Sequence, residues 1–121
     1  MIKRIVIAGS RSFNDYVLFS KFVDKCLSKI KFEHKIIILS GHCKGTDIMA
    51  ERYAAENGYG LKVYPADWTL GKKAGPLRNM QMIRIADYAI AFPGGGPGTI
   101  SLIRLSQEKG IPIRIFPVNN K

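Results

Sequence analysis

Five short apolar runs rich in β-branched residues alternate along this chain with four segments of helical period, and that alternation constrains the fold more than any other feature. The runs are IKRIVIA (2–8), KIIILS (35–40), LKVYP (61–65), DYAIAF (87–92) and IPIRIF (111–116). In the first intervening segment Phe19, Phe22, Val23, Cys26, Leu27 and Ile30 share one helical face, with Lys21, Lys25 and Lys29 on the other. The second, 46–57, stops at Gly58, the residue type best able to take a left-handed helix end. The third opens after Gly75 with Pro76, and the fourth runs from Thr99, a suitable cap, to Gly110 and Pro112. Strand, helix and strand in repetition require crossover connections, hence a mostly parallel sheet with helices on both faces. With right-handed crossovers the expectation is a single doubly wound α/β domain over 1–121.

Bulk properties agree with that expectation. A chain of 121 residues is long enough for one core, and its 46% apolar and 23% charged shares are ordinary for a globular protein. No apolar run approaches the roughly 18 residues of a membrane span, and MIKRIVIAGS reads as a buried strand in preference to a secretory leader. Two cysteines, Cys26 and Cys43, build no disulfide framework, so the expected location is a reduced cytoplasm. The unusual item is charge: 19 Lys and Arg stand against 9 Asp and Glu, a net of +10. Such an excess favours anionic partners, although a lysine-rich solvated exterior accounts for it equally well. The stripe of Lys21, Lys25, Lys29 and Lys31 is read as a solvated face, with nucleic acid as the less favoured partner.

In an open parallel sheet, ligands bind beyond the carboxyl ends of the strands. The loops at that edge are GSRSF (9–13), GHCKGTD (41–47), ADWTLGKKAG (66–75) and PGGGPGT (93–99), and they carry nearly every residue suited to chemistry. In PGGGPGT, glycines let backbone N–H groups approach an anion, and a helix beginning at Thr99 adds its dipole. A tight strand-to-helix turn is the plainer reading, but one glycine would serve it. Gly94, Gly95, Gly96, Gly98 and Thr99 are therefore candidate phosphate contacts, with Gly9 and Ser10 on the facing loop. Gly41, Lys44 and Gly45 repeat the arrangement after the second strand. Asp47 there is either a favourable charge at a helix start or an acceptor for a sugar hydroxyl or water.

Arg11 is suited to bidentate contact with a phosphate or carboxylate, or to pairing with loop carbonyls. Lys72, Lys73, Arg78 and Asn79 crowd a helix N-terminus, where cations oppose the dipole and invite a compensating anion. Trp68 and Tyr64 can stack on a base or belong to the core. His42 and Cys43 adjoin, but no second pair has metal-ligand spacing, so neither metal nor cofactor is expected. A reactive Cys43 requires a local environment that sequence does not display. On the third helix Met80 and Met82 project about 200° apart. One apolar side covers the sheet and the other is a candidate surface for self-association.

Taken in order, GSRSF, SGHCKGTD, YPADW, GKKAGPLRNMQM and ADYAIAFPGGGPGT resemble the successive motifs of the YspA-like family, a domain of unknown function in the SLOG superfamily. The likeness spans 4–116. It implies a Rossmann-like five-stranded parallel sheet of order 3-2-1-4-5 and a nucleotide-type ligand at its carboxyl edge. Arg78, Met82 and PGGGPGT are also similar to a segment of the LOG-type phosphoribohydrolases, which release a base from a nucleoside monophosphate. Arg78 is the residue that likeness marks as a catalytic-site arginine. Those enzymes carry a carboxylate pair where this chain has Ser101 and Leu102, and their glycine loop lacks one residue present here in Gly96-Pro97. Hydrolysis would then need Asp47 as a substitute.

The leading expectation is thus a nucleotide-binding module, or sensor, holding phosphate at PGGGPGT with Arg11, Lys73 and Arg78. The alternatives are an N-glycosidic hydrolase using Arg78 and Asp47, and a single-stranded nucleic-acid binder.

Overall fold

The computed structural model describes residues 1–94 and 97–116. Its elements run β1 (Ile2–Gly9), α1 (Tyr16–Leu27), α2 (Ile30–Glu33), β2 (Lys35–Ser40), α3 (Thr46–Asn57), β3 (Gly60–Val63), a 3-10 segment (Trp68–Lys73), α4 (Ala74–Ile85), β4 (Tyr88–Phe92), α5 (Pro97–Lys109) and β5 (Ile113–Ile115). All strand pairings are parallel, in the order β3-β2-β1-β4-β5. This is the doubly wound, Rossmann-like α/β fold. The chain winds outward from β1 to one edge and then recrosses it to build the other. That reversal leaves the carboxyl ends of β1 and β4 side by side, with Gly9 opposite Phe92, at the switch point where such sheets hold ligands.

Alternation along the strands divides the interior into two layers. Ile5 and Ile7 of β1 join Ile36 and Ile38 of β2 and Ile90 and Phe92 of β4 beneath α1 and α3. Val6, Ala8, Leu39 and Ala89 face the other way, against Met82 and Ile83 of α4 and Leu102 of α5. Ile5–Ala8 of β1 are buried on both faces, which is why that stretch is apolar without a break, while Lys3 and Arg4 near the strand's start are part-exposed. The predicted apolar face of the first helix packs as expected, with Phe19, Val23, Cys26 and Leu27 buried. An aromatic stack of Phe13, Phe19, Phe22, Phe92 and Phe116 supports the sheet's carboxyl end from that side.

Element ends depart from the sequence pattern for local reasons. The first helix stops at Leu27, because the Ser28 hydroxyl donates to the Lys25 carbonyl (3.0 Å) and competes with helix propagation. Gly58 and Gly110 do take left-handed φ values of 69° and 83° at the ends of α3 and α5. α5 opens at Pro97, two residues before the expected Thr99, using proline's aptitude for a first helical turn. Edge strands β3 and β5 are shorter than their apolar runs. On α4, Met82 is buried while Met80 and Leu77 stay exposed, so only one of its apolar sides covers the sheet. Among the described residues no helix is long and apolar enough to cross a membrane.

Candidate functional site

A cleft of about 820 Å³ opens at the switch point, within the range of roughly 300–1,000 Å³ usual for small-molecule sites. The β1–α1 loop supplies Gly9, Ser10, Arg11 and Ser12, and the β2–α3 loop supplies Cys43 and Asp47. Trp68 and Lys72 come from the 3-10 segment, Gly75, Pro76, Arg78 and Asn79 from α4, and Gly94, Gly98 and Thr99 from the glycine-rich turn and α5. Residues from the N-terminal ends of α3, α4 and α5 all line it, and the dipoles of these helices favour negative charge there.

Two close approaches shape the floor. A Cβ on Gly94 would strike the Ser10 side chain, and one on Gly45 would strike the Ser10 and Arg11 carbonyls. Gly45 also has φ +80°, so glycine is required there twice over. Thr46 then fastens α3 to β1, donating both its N–H (3.1 Å) and its hydroxyl (2.9 Å) to the Ser10 carbonyl.

Asp47 is the one carboxylate lining the cleft among the described residues. It is 4% exposed, and its Oδ2 accepts the Cys43 N–H at 3.2 Å, while Oδ1 is buried without a partner among those residues. Burial pushes its carboxyl from 3.8 up to about 6; the Cys43 hydrogen bond and the charges of Arg78 and Arg11 oppose the rise, and Glu51 adds to it. The sequence alternatives for Asp47 thus meet a specific fact. A favourable helix-start charge would lie in solvent, whereas this group is dehydrated and half satisfied.

Arg78 is buried at 8% exposure. Its Nη1 donates to the Gly41 carbonyl (2.7 Å) and its Nε to Asn79 Oδ1 (2.9 Å). Asn79 passes the connection on, its Nδ2 donating to the Gly98 carbonyl at 3.1 Å. The pair therefore ties the β2–α3 loop to the first turn of α5 through α4. Gly41 stands behind the site, since a Cβ there would press on the Arg78 guanidinium and Asp47 Oδ2.

Arg11 is exposed, its guanidinium carbon 5.5 Å from the centre of the Trp68 ring. Trp68 is itself 55% exposed and lines the cleft, whereas Tyr64 packs against the α4–α5 layer of the core. His42 holds φ +61°, a conformation unusual for a side chain with a Cβ. Its N–H donates to Ser40 Oγ (3.1 Å) and its Nδ1 lies 2.8 Å from Glu51 Oε2, which keeps the turn in place.

Of the candidate residues read from sequence, Gly9, Ser10, Arg11, Asp47, Arg78, Asn79, Gly94, Gly98 and Thr99 come together around the cleft. Gly41 and Gly45 support it from behind, and Lys44 and Lys73 do not line it. Gly95 and Gly96 lie outside the described residues. Lys72 lines the cleft in place of Lys73, and Cys43 and Ser12, which lie in the candidate loops but are not among the predicted ligand contacts, join it. Its place in the loop that bears Asp47 was the available signal for Cys43. Lys21, Lys25, Lys29 and Lys31 are all exposed and away from the cleft lining.

Comparison with known proteins adds three findings. The family model described as YAcAr, the YspA, cpYpsA-related SLOG family, matches residues 3–71, which include the β1–α1 and β2–α3 loops but stop short of Arg78. The chain is 33% identical over 124 aligned residues to the Gene 61 protein of Mycobacterium phage D29, covering 95% of this chain and 97% of that protein. The X-ray structure of TM1055 shares the fold, with a TM-score of 0.65 at 18% identity over 92% of this chain and 72% of that one.

Proposed function

The chain belongs to the YspA, cpYpsA-related SLOG family, and from that premise we propose that it binds a nucleotide or nucleotide-derived phosphorylated ligand in the switch-point cleft, as a sensor or binding module. The observation that carries this reading is the division of charge in the cleft. Arg11, Lys72 and Arg78 share the cleft lining with Gly98 and Thr99 at the start of α5, and among the described residues a single carboxylate, partly unpaired, lines it with them. Phosphate belongs on the cationic side, where guanidinium groups and helix N–H groups offer charge-assisted hydrogen bonds. A ribose hydroxyl belongs on the Asp47 carboxyl, whose Oδ1 has no donor among the described residues. Trp68, exposed at the rim beside Arg11, offers a face for the base.

Thermal-shift and calorimetric titration of the full chain with nucleoside mono- and diphosphates and dinucleotides tests the reading. Stabilisation by at least one phosphorylated nucleoside, and none by the unphosphorylated nucleoside, is expected. No response across the panel, or equal response to both forms, overturns it.

One observation favours a second reading, an N-glycosidic hydrolase. Asp47, titrating near 6 in a dehydrated site, is the kind of carboxylate that stabilises a ribosyl cation or activates water. Chromatographic release of free base from a bound nucleotide, lost in Asp47→Asn, would establish it. Self-association through α4, where Leu77 and Met80 remain exposed, is a separate proposal. A monomeric mass by light scattering at micromolar concentration counts against it.

A further inference from the structure

Cys43 differs from Cys26 in exposure and in the charged groups around its sulfur. Cys26 is 7% exposed beneath α1 and its thiol is pushed up by burial. Cys43 is half-buried and lines the cleft. Its Sγ lies 3.8 Å from Arg11 Nη2 and 3.8 Å from Arg78 Nη1, so guanidinium groups from two separate elements converge on one sulfur. Its backbone N–H is held by Asp47 Oδ2, and the other oxygen of that carboxyl, in the same cleft and 4% exposed as a residue, has no partner among the described residues. Beside the sulfur, then, stand two cations that attract carboxylates and one dehydrated acceptor suited to an amide or ammonium N–H. Cys26 sits in the core, so a disulfide partner for Cys43 must come from outside the chain.

We infer that Cys43 is a site of mixed-disulfide formation with small anionic disulfides, and that the adduct closes the cleft to its phosphorylated ligand. The second half rests on the reading of the cleft given above. In the step itself the Cys43 thiolate attacks one sulfur of the reagent's S–S bond. An Sγ–S bond forms, the reagent's S–S bond breaks, and the departing thiolate takes up a proton from water. Cys43 is oxidised and one half of the reagent is reduced, so no further oxidant is needed. Arg11 and Arg78 concentrate the anionic reagent at the sulfur and then hold its carboxylates where the ligand's phosphate would sit.

The test uses the reduced full chain with glutathione disulfide, and a neutral comparator, hydroxyethyl disulfide. Each rate is divided by that reagent's rate with a free small thiol. Intact mass and peptide mapping should place the adduct on Cys43 and not on Cys26. The normalised rate with glutathione disulfide should exceed that with the neutral reagent by roughly tenfold or more and fall with added salt. Arg11→Ala should bring the ratio of the two normalised rates most of the way to one, a loss of charge preference that general loosening of the fold would not produce. Equal normalised rates, or no adduct on Cys43 in the folded protein, overturn the site. Nucleotide-induced stabilisation should vanish in the adduct and return with dithiothreitol. An adduct that leaves nucleotide binding intact overturns the closure. A reduced protein that binds no nucleotide yet forms the adduct with the anionic preference overturns the reading of the cleft and spares the modification site.

Discussion

Replacing Asp47 with Asn should make the protein more stable, and the size of the gain follows from the site. The native carboxyl titrates at about 6 against 3.8 for an unburied aspartate. Two units at 1.36 kcal/mol each amount to about 3 kcal/mol by which the folded state disfavours the ionised group. Because the folded pKa is raised, the folded protein binds the proton more tightly than the unfolded chain. Stability from this group therefore falls as pH rises from about 3.8 to about 6, and the whole penalty is present above that window.

Asn is isosteric, keeps an oxygen for the Cys43 N–H and carries no charge to dehydrate. Urea unfolding of both proteins between pH 4 and pH 8 should show a difference near zero at the acid end, widening to as much as about 3 kcal/mol in favour of Asp47→Asn at pH 7.5, roughly 10 °C in melting temperature. The same variant should bind the ligand more weakly by about 1–3 kcal/mol, having lost a charged acceptor. A stability difference that does not change with pH would refute the claim that burial of this charge is the destabilising element.

Three further substitutions separate supports from contacts. Arg78→Ala removes charge-assisted hydrogen bonds to the Gly41 carbonyl and to Asn79 and withdraws the nearest opposing charge from Asp47, so equilibrium unfolding should register a loss of about 2–4 kcal/mol. Arg78→Lys should recover only part of this, since an ammonium cannot span both acceptors. Gly45→Ala should destabilise by more than about 1 kcal/mol, because φ +80° and the Ser10 and Arg11 carbonyls both exclude a Cβ; circular dichroism melts suffice to check it. Lys109→Met should cost about 1 kcal/mol without altering ligand affinity. Its ammonium caps α4 by donating to the carbonyls of Ile83, Arg84 and Ala86 (2.7, 2.8 and 3.0 Å), far from the cleft lining.

The sheet was legible because its evidence is periodic. The stretch of a strand covered on both faces must be apolar throughout, and Ile5–Ala8 of β1 are; a helix over a sheet must repeat at 3.6, and α1 does. Loop membership in the site was legible for the same reason, since parallel strands send every following loop to one edge. Direction inside a loop was not. Lys72 and Lys73 are neighbours in sequence, yet only Lys72 lines the cleft, both lying in a 3-10 segment interrupted by Gly71 at φ 71°. No helical period describes such a segment. Arg78 was legible as a cation at an unfavourable helix end, but its bond to the Gly41 carbonyl, 37 residues away in sequence, is a product of tertiary packing.

The position at which the phosphoribohydrolase-like motif carries its carboxylates is informative in three dimensions. Leu102 is fully buried against Val6, Ala8 and Met82, so the second turn of α5 turns an apolar residue into the core there. A carboxylate at that position would be dehydrated without a partner, at a cost of several kcal/mol. Glu51, the next acidic residue after Asp47, is engaged by Ser40 Oγ and His42 Nδ1. Glycoside cleavage commonly divides acid and base or nucleophile duties between two carboxyl groups. Here one carboxyl lines the cleft among the described residues, and its Oδ1 is buried without a hydrogen-bond partner among them. If Asp47 serves as a hydroxyl acceptor, binding must favour its ionised form. Affinity for a phosphodiester ligand, which does not itself titrate near 6, should then rise with pH across about 5 to 7, with proton release on binding and no free base formed. Proton uptake on binding, or affinity that falls over that interval, would place the ligand's phosphate against Asp47 and reverse its orientation in the cleft.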